Sequence, residues 1–279
     1  MKLQYYGTAA AEGWPGLFCQ CETCELARKL GGKNTRSRAQ AVVDDALLLD
    51  FGPDTGLHAL RDGMPLHRLR HCLITHGHSD HFYPADLVMK AGVYAPAPKG
   101  APLHLYGSDW VGKLYEEAME RENDTNDLAE CVCFHPVQAG ETFLAGEYEV
   151  TALAASHNPP EPCLIYRIKG PEGKALLYAH DTAWFPEETW ALLAGVPLDL
   201  VSLDCTLGTQ GEGSTHMGLE GCRKTRERML REGIAGPETR FVINHFSHNG
   251  WPGFSHEAME QLAGPDGFAV AWDGMTVQI

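Results

Sequence analysis

The chain has 279 residues, with 22 Lys and Arg against 37 Asp and Glu, so its formal net charge at pH 7 is −15. This excess of negative charge disfavours binding to a nucleic-acid backbone, because phosphate recognition requires clustered Lys and Arg side chains. No apolar run approaches the length of a membrane span and no basic and apolar leader is recognisable, so we expect a cytoplasmic protein without membrane contact.

Apolar runs typical of strands outnumber stretches typical of helices, and the two kinds are interspersed along the chain. The predicted strands cover 3–7, 41–43, 46–51, 72–75, 103–106, 148–154, 163–168, 175–179, 200–204, 241–244 and 268–272. The predicted helices cover 54–61, 109–122, 186–193, 219–231 and 256–262. This order fits two mixed sheets face to face with helices outside. The absence of a linker rich in Gly, Ser or Pro predicts one domain over 1–279, and Asp273-Gly274 predicts a tight hairpin between 269–272 and 275–279.

Three of the nine cysteines lie in the cluster Cys19-x-Cys21-x-x-Cys24. In a chain without an export signal, this spacing predicts reduced thiols and a bound metal rather than disulfides. A structural zinc ion has four ligands, and we take His248 as the fourth; the alternative is free cysteines in a loop. The other cysteines are predicted to be core residues: Cys72, Cys131, Cys133, Cys163, Cys205 and Cys222.

The segment Thr75-His76-Gly77-His78-Ser79-Asp80-His81 follows the apolar run at 72–74 and predicts a metal site at a strand-to-helix turn. His76 and His78 have the same strand parity, so they can converge on one ion. Asp80 and His81 lie past the bend and can reach a second ion. Nitrogen and carboxylate ligands together suit zinc, manganese or iron rather than calcium. The alternative, a polar loop rich in histidine, would leave buried imidazoles uncompensated.

This motif resembles the signature of the metallo-β-lactamase superfamily, and further matches follow in the same order along the chain. They are Asp50 after the run at 46–49, His157 after 148–154, Asp181 after 175–179 and His245 after 241–244. The resemblance implies an αββα sandwich. It also implies one divalent metal on His76, His78 and His157, a second on Asp80, His81 and His245, and Asp181 as a bridge. Asp50 would orient a ligand histidine, or else cap the following turn; His180 should be structural, since it faces away from Asp181.

The cysteine cluster makes the chain similar to one family within this superfamily, the phosphoribosyl 1,2-cyclic phosphate phosphodiesterases of phosphonate degradation. That family combines a dinuclear site with a zinc ion held by three cysteines and a histidine. Its pattern also has Asp-Cys-Ser/Thr at a strand end followed by a loop and a histidine, which Asp204-Cys205-Thr206 and His216 match. His216 is therefore a candidate general acid or phosphate-orienting residue, or otherwise a plain loop histidine. Pro159-Pro160-Glu161-Pro162 departs from the family pattern.

The resemblance implies a metal-dependent hydrolase with zinc or manganese at its centre and His216, Asp80 and Asp181 in catalysis. A bridging hydroxide would attack phosphorus of a small cyclic phosphodiester. The alternatives are a lactonase or thioester hydrolase on the same scaffold, or a non-catalytic helper in cofactor biosynthesis. A nuclease acting on tRNA is disfavoured by the negative charge. We expect a homodimer, a solvated face or subunit contact at 116–130, and a lid or a flexible connection at 208–214.

Overall fold

A computed structural model describes residues 1–96, 102–122 and 128–279. The strands within these ranges are β1 Lys2–Gly7, β2 Gln40–Val43, β3 Leu47–Leu49, β4 His71–Leu73, β5 Leu103–Gly107, β6 Val132–Pro136, β7 Thr142–Ala145, β8 Tyr148–Ala154, β9 Leu164–Lys169, β10 Ala175–Ala179, β11 Leu198–Asp204, β12 Ala235–Asn244, β13 Phe268–Val270 and β14 Thr276–Gln278. The α-helices are α1 Glu22–Leu30, α2 Thr55–Arg61, α3 Asp109–Glu122, α4 Leu128–Cys131, α5 Glu187–Leu193, α6 Leu219–Arg231 and α7 His256–Ala263.

The strands form two mixed seven-stranded sheets, ordered β14-β1-β2-β3-β4-β5-β6 and β13-β12-β11-β10-β9-β8-β7. In the first sheet β3 to β6 are parallel, and in the second β10 to β13 are parallel. The other strands of each sheet lie on one side of its parallel strands and pair in antiparallel orientation. The predicted αββα sandwich of two mixed sheets flanked by helices is confirmed.

Two apolar clusters hold these layers together. The larger joins side chains of both sheets, such as Leu49 and Leu177, and continues to Trp190 and Met229 on helices of the second sheet. The smaller joins the other face of the first sheet to its helices, with Leu105 and Val111 among its members. Burial of these faces is the main stabilising contribution, at about 25 cal/mol per Å² of apolar surface.

The parallel strands bring distant parts of the chain to one edge. β4, β10, β11 and β12 are followed directly by the loops that start at Ile74, His180, Cys205 and His245. Because the carboxyl ends of parallel strands meet at the same edge of a sheet, open α/β sheets place their functional loops there. The predicted metal-binding residues therefore arrive at one rim of the sandwich.

The predicted hairpin at Asp273-Gly274 is wrong. β13 pairs with β12 in the second sheet, whereas β14 pairs with β1 in the first, so the turn carries the chain from one sheet to the other. The Asp273 carboxylate accepts hydrogen bonds of 2.7 Å from Thr8 Oγ1 and from the Ser37 amide. These long-range contacts determine which strand follows the turn. They cannot be predicted from the residue types within the turn.

Several local expectations also differ from the structure. β6, β7 and α1 were not among the predicted elements. Cys131 and Cys133 are half-buried rather than core residues, because Cys133 lies on β6, the last strand of its sheet, and Cys131 ends α4 directly before it. The remaining four predicted core cysteines are buried.

Much of the described part of the two segments with open interpretations is exposed. In the segment 116–130, Glu116, Glu117 and Glu120 of α3 are exposed, as a solvated face requires, while 123–127 lie outside the described residues. In the segment 208–214, Gly208 packs so closely on Gly250 and Trp251 that a Cβ would clash, which anchors the start of this loop. Among the described residues, no helix combines the length and apolar content of a membrane span.

Candidate metal centre

Three of the predicted histidines converge beside the loop after β4, which carries two of them. His76 Nε2 lies 2.9 Å from His78 Nδ1, and His78 Nδ1 lies 3.0 Å from Nε2 of His157, which follows β8. Asp181 Oδ2 lies 3.3 Å from His76 Nε2. Three imidazole nitrogens and a carboxylate oxygen thus face one point, and we call this group the three-histidine half.

A second group, which we call the two-histidine half, lies beside the first. His81 Nε2 is 3.3 Å from Asp80 Oδ2, 3.2 Å from His245 Nε2 and 2.8 Å from Asp181 Oδ2. The same carboxylate oxygen of Asp181 therefore serves both halves.

These donors suit divalent metals. Within each half the four ligand atoms lie within 4.8 Å of one another, and every side chain except the exposed His78 is buried. Asp181 Oδ1 is buried, and its nearest donors are His245 Nδ1 at 3.1 Å and His216 Nδ1 at 3.3 Å, neither of them well aligned for a hydrogen bond. A buried carboxylate oxygen in this position is stabilised by a cation. Imidazole with carboxylate is the donor chemistry of zinc and manganese sites.

Neighbouring groups orient the histidines. Asp50 Oδ2 lies 2.7 Å from His81 Nδ1 and Asp50 Oδ1 accepts from the Thr75 amide at 2.8 Å, which favours the orienting role predicted for Asp50. Sequence reasoning missed the contact of His157 Nδ1 with the carbonyl oxygen of Thr215 at 3.1 Å. Such partners fix the tautomer and the ring orientation of a ligand histidine.

Thr206 supplies another contact that we did not predict. Its Oγ1 lies 2.8 Å from His245 Nδ1. Thr206 belongs to the Asp-Cys-Thr strand end, so its side chain could have been predicted from that motif. The contact made by the backbone oxygen of Thr215 has no sequence signal.

Three residues of the centre have a left-handed backbone. Asp50, Asp181 and His245 have φ values of 66°, 49° and 59°, a region that residues other than glycine rarely occupy. Such conformations persist where the surrounding structure imposes them, and they concentrate at functional sites.

His216 lies next to the two metal-binding groups. Its Nδ1 is 3.1 Å from Asp204 Oδ2 and 3.3 Å from Asp181 Oδ1. Asp204 is itself fixed, because its Oδ1 accepts from the amides of Thr206 and Met217. Burial alone would lower the pKa of His216, but the hydrogen bonds and charges of Asp181 and Asp204 outweigh it and raise the pKa to about 10. The two carboxylates therefore favour the protonated form of the imidazole.

Histidines without motif context are held in ordinary contacts. His180 is fully buried, and its Nε2 lies 2.8 Å from Ser202 Oγ. His104 Nδ1 lies 2.9 Å from His135 Nε2. Their ring centroids are 5.1 Å apart. The contacts of His180 fit the structural role predicted for it.

The cysteine cluster closes into a second candidate metal site. One ligand atom each from Cys19, Cys21, Cys24 and His248 lies within 4.8 Å of the others, with Cys21 Sγ 3.5 Å from His248 Nδ1. The Gly16 amide donates to Cys24 Sγ at 3.3 Å, whereas burial and the neighbouring thiols of Cys21 and Cys19 raise the pKa of Cys24 to about 12. Burial would raise the pKa of Cys21, but hydrogen bonds from its neighbours lower it to about 6. Three thiolates and an imidazole are the ligands of a closed structural zinc site.

Replacing Cys21 by Ser tests this site, because Cys21 is exposed and the change barely affects packing. We expect the loss of one zinc per chain. Zinc bound at a hundred times its Kd adds about 2.7 kcal/mol of stability, so the Tm should fall by roughly 5–10 °C. Elemental analysis and thermal unfolding measure both effects. Cys131→Ser, a half-buried thiol outside the cluster, is the control, and unchanged zinc content in Cys21→Ser would contradict the assignment.

One protein family matches most of the chain. Residues 46–236 match the family model described as the beta-lactamase superfamily domain. A search of the curated proteins found no match.

Solved structures share the fold over nearly the full length. A diphosphatase from the PhnP family is 22% identical with a TM-score of 0.76, covering 99% of this chain and 96% of that chain. Zinc-bound PqqB from Methylobacterium extorquens is 19% identical with a TM-score of 0.70, covering 100% of both chains. Human tRNase Z, short form, is 18% identical with a TM-score of 0.70, covering 100% of this chain and 99% of that chain.

Proposed function

The chain belongs to the beta-lactamase superfamily, and from this premise we propose that it is a metal-dependent hydrolase, a dinuclear phosphodiesterase acting on a small cyclic phosphodiester. His76, His78 and His157 would hold one metal, and Asp80, His81 and His245 the other. Asp181 would bridge the two, and Cys19, Cys21, Cys24 and His248 would hold a separate zinc.

The observation that carries this proposal is the position of Asp181 Oδ2. It lies 3.3 Å from His76 Nε2 in one half and 2.8 Å from His81 Nε2 in the other. Two divalent metals held by these residues would supply an activated water and a clamp for the attacking and leaving oxygens. The contribution of Asp181 and Asp80 is to place carboxylate charge at the centre and hold its geometry.

His216 provides the proton that the leaving oxygen requires. Hydrogen bonding of Nδ1 to Asp204 at 3.1 Å orients the ring and keeps it in the acid form. The side chain retains about a quarter of its exposure, so the rest of the ring is accessible to a substrate. General acid catalysis of this kind contributes roughly 10²–10⁴-fold to rate.

Charge supports a small substrate over a nucleic acid. The net charge of −15 opposes a long polyanion, whose binding depends on many phosphate contacts. The solved relatives include one diphosphatase and one tRNase, so the fold alone does not distinguish a small substrate from a nucleic acid.

Other reactions on the same scaffold remain alternatives. A lactonase or thioester hydrolase would use the same centre on a carbonyl carbon, and a panel of esters and phosphodiesters separates these activities. A non-catalytic helper in cofactor biosynthesis is the third reading. The complete set of predicted ligands favours an enzyme over a helper.

Metal analysis combined with chelation tests the proposal directly. We expect about three metals per chain and hydrolysis of bis(p-nitrophenyl) phosphate that a chelator abolishes and Zn²⁺ or Mn²⁺ restores. Protein incubated with metal-saturated chelator is the control. Full metal occupancy without any phosphodiester cleavage would contradict the phosphodiesterase and favour a carbonyl substrate or the helper role.

A further inference from the structure

The loop that follows His157 reaches back to the first metal-binding loop. Its residue Glu161 is only 5% exposed, and its Oε1 accepts a hydrogen bond of 2.5 Å from the amide of Gly77. Gly77 lies between His76 and His78, so this single bond connects the chain segments that carry all three histidines of the three-histidine half.

The other side of Gly77 is covered by α3. A Cβ at Gly77 would collide with Leu114 Cδ1 and would lie 3.1 Å from Trp110 Cδ1 and from Glu161 Oε1. The Gly77 peptide is therefore held between a helix and a buried carboxylate. Its orientation decides where the side chains of His76 and His78 point, because they flank it in the chain.

Of the ligand histidines, His78 has the longest contact on its second ring nitrogen. His81, His157 and His245 each have a close partner on their second ring nitrogen, supplied by Asp50, Thr215 and Thr206. The second nitrogen of the exposed His78 has Asn158 Nδ2 at 3.5 Å, which is long for a hydrogen bond. The position of the His78 ring is therefore set mainly by the position of its backbone.

We propose that Glu161 is a positioning residue that fixes the His76–His78 segment for metal binding through the Gly77 amide. The inference rests on the proposed assignment of His76, His78 and His157 as ligands. Burying a carboxylate costs free energy unless its hydrogen bonds compensate, and Glu161 is bonded to the Gly77 amide and to the Asn158 side chain. Losing a group that orients a ligand typically lowers metal affinity 10–100-fold.

Cobalt titration of the full-length chain can measure each half separately. His245→Ala weakens the two-histidine half, so Co²⁺ binding in this background reports the three-histidine half; His157→Ala provides the converse. Thiolate-to-cobalt absorption in the near ultraviolet reports the cysteine site independently. Into each background we introduce Glu161→Ala and Glu161→Gln, since Gln keeps an oxygen that can accept from Gly77. Glu172→Ala, an exposed carboxylate in the β9–β10 turn, is the matched control.

We expect Glu161→Ala to weaken Co²⁺ binding to the three-histidine half by roughly 10–100-fold. Glu161→Gln and Glu172→Ala should leave that affinity within about threefold, and the two-histidine half should stay unchanged, because changes below about 0.6 kcal/mol are small on this scale. Wild-type affinity in Glu161→Ala, an equal loss in both halves, or a Gln variant as weak as Ala would each overturn the inference. Absence of Co²⁺ binding in both backgrounds while Glu161 is intact would instead sink the ligand assignment, and the inference with it.

Discussion

Replacing Asp181 by Asn is expected to lower kcat/KM for phosphodiester hydrolysis by roughly a thousandfold or more, which corresponds to about 4 kcal/mol of transition-state stabilisation. The reason is the shared oxygen Oδ2, which faces both halves of the centre. Asn preserves the side-chain volume and tolerates the left-handed backbone at φ 49°, so the change removes charge and little else. Metal analysis of the same protein should show loss at the dinuclear centre with the cysteine site still filled.

Asp44→Asn is the matched control for this variant. Asp44 also has a left-handed backbone, with φ 50°, but lies at the β2–β3 turn away from the centre. It should keep full activity. Undiminished turnover in Asp181→Asn would exclude a bridging role for this carboxylate and with it the proposed mechanism.

Replacing His216 by Gln should lower kcat by roughly 10²–10⁴-fold while the metal content stays unchanged. A general acid matters most when the leaving oxygen is basic, so substrates with alkoxide leaving groups should lose much more activity than p-nitrophenyl esters. Steady-state kinetics on a pair of such substrates measures the difference. Equal losses on both would assign His216 to substrate binding instead of proton donation.

The pH dependence follows from the same contacts. Burial lowers the pKa of His216, but Asp181 and Asp204 outweigh it and raise the pKa to about 10. The acid form is present below that pKa, so activity should persist through neutral pH and fall as pH rises through about 10. Asp204→Asn removes one of the two carboxylates, and we expect the alkaline limb of kcat to move to lower pH. A limb that does not move would contradict pairing of His216 with Asp204.

The sequence was sufficient for much of the fold because each ligand follows an apolar strand. The runs before His76, His157, Asp181 and His245 are observed as β4, β8, β10 and β12, and α3 and α6 have the predicted bounds. The structure also brings together the residues predicted for both metal sites. Local periodicity and motif order contain this information.

What the sequence could not supply comes from contacts between distant residues. The turn at Asp273 crosses between sheets because Thr8 and Ser37 hold its carboxylate, and neither residue is near it in the chain. Glu161 resembled part of an irregular proline-rich loop until the structure placed it against Gly77. Backbone partners such as the Thr215 carbonyl oxygen have no side-chain identity at all.

The left-handed backbone at Asp50, Asp181 and His245 has a consequence for protein engineering. Each such residue costs about 1–2 kcal/mol relative to an ordinary conformation, whereas glycine adopts it without strain. A selection for heat resistance alone would therefore favour glycine at the very positions that build the centre. Stabilised variants of this protein should be screened for retained metal from the first round, because part of the backbone strain that a selection could relieve lies in residues that the chemistry needs.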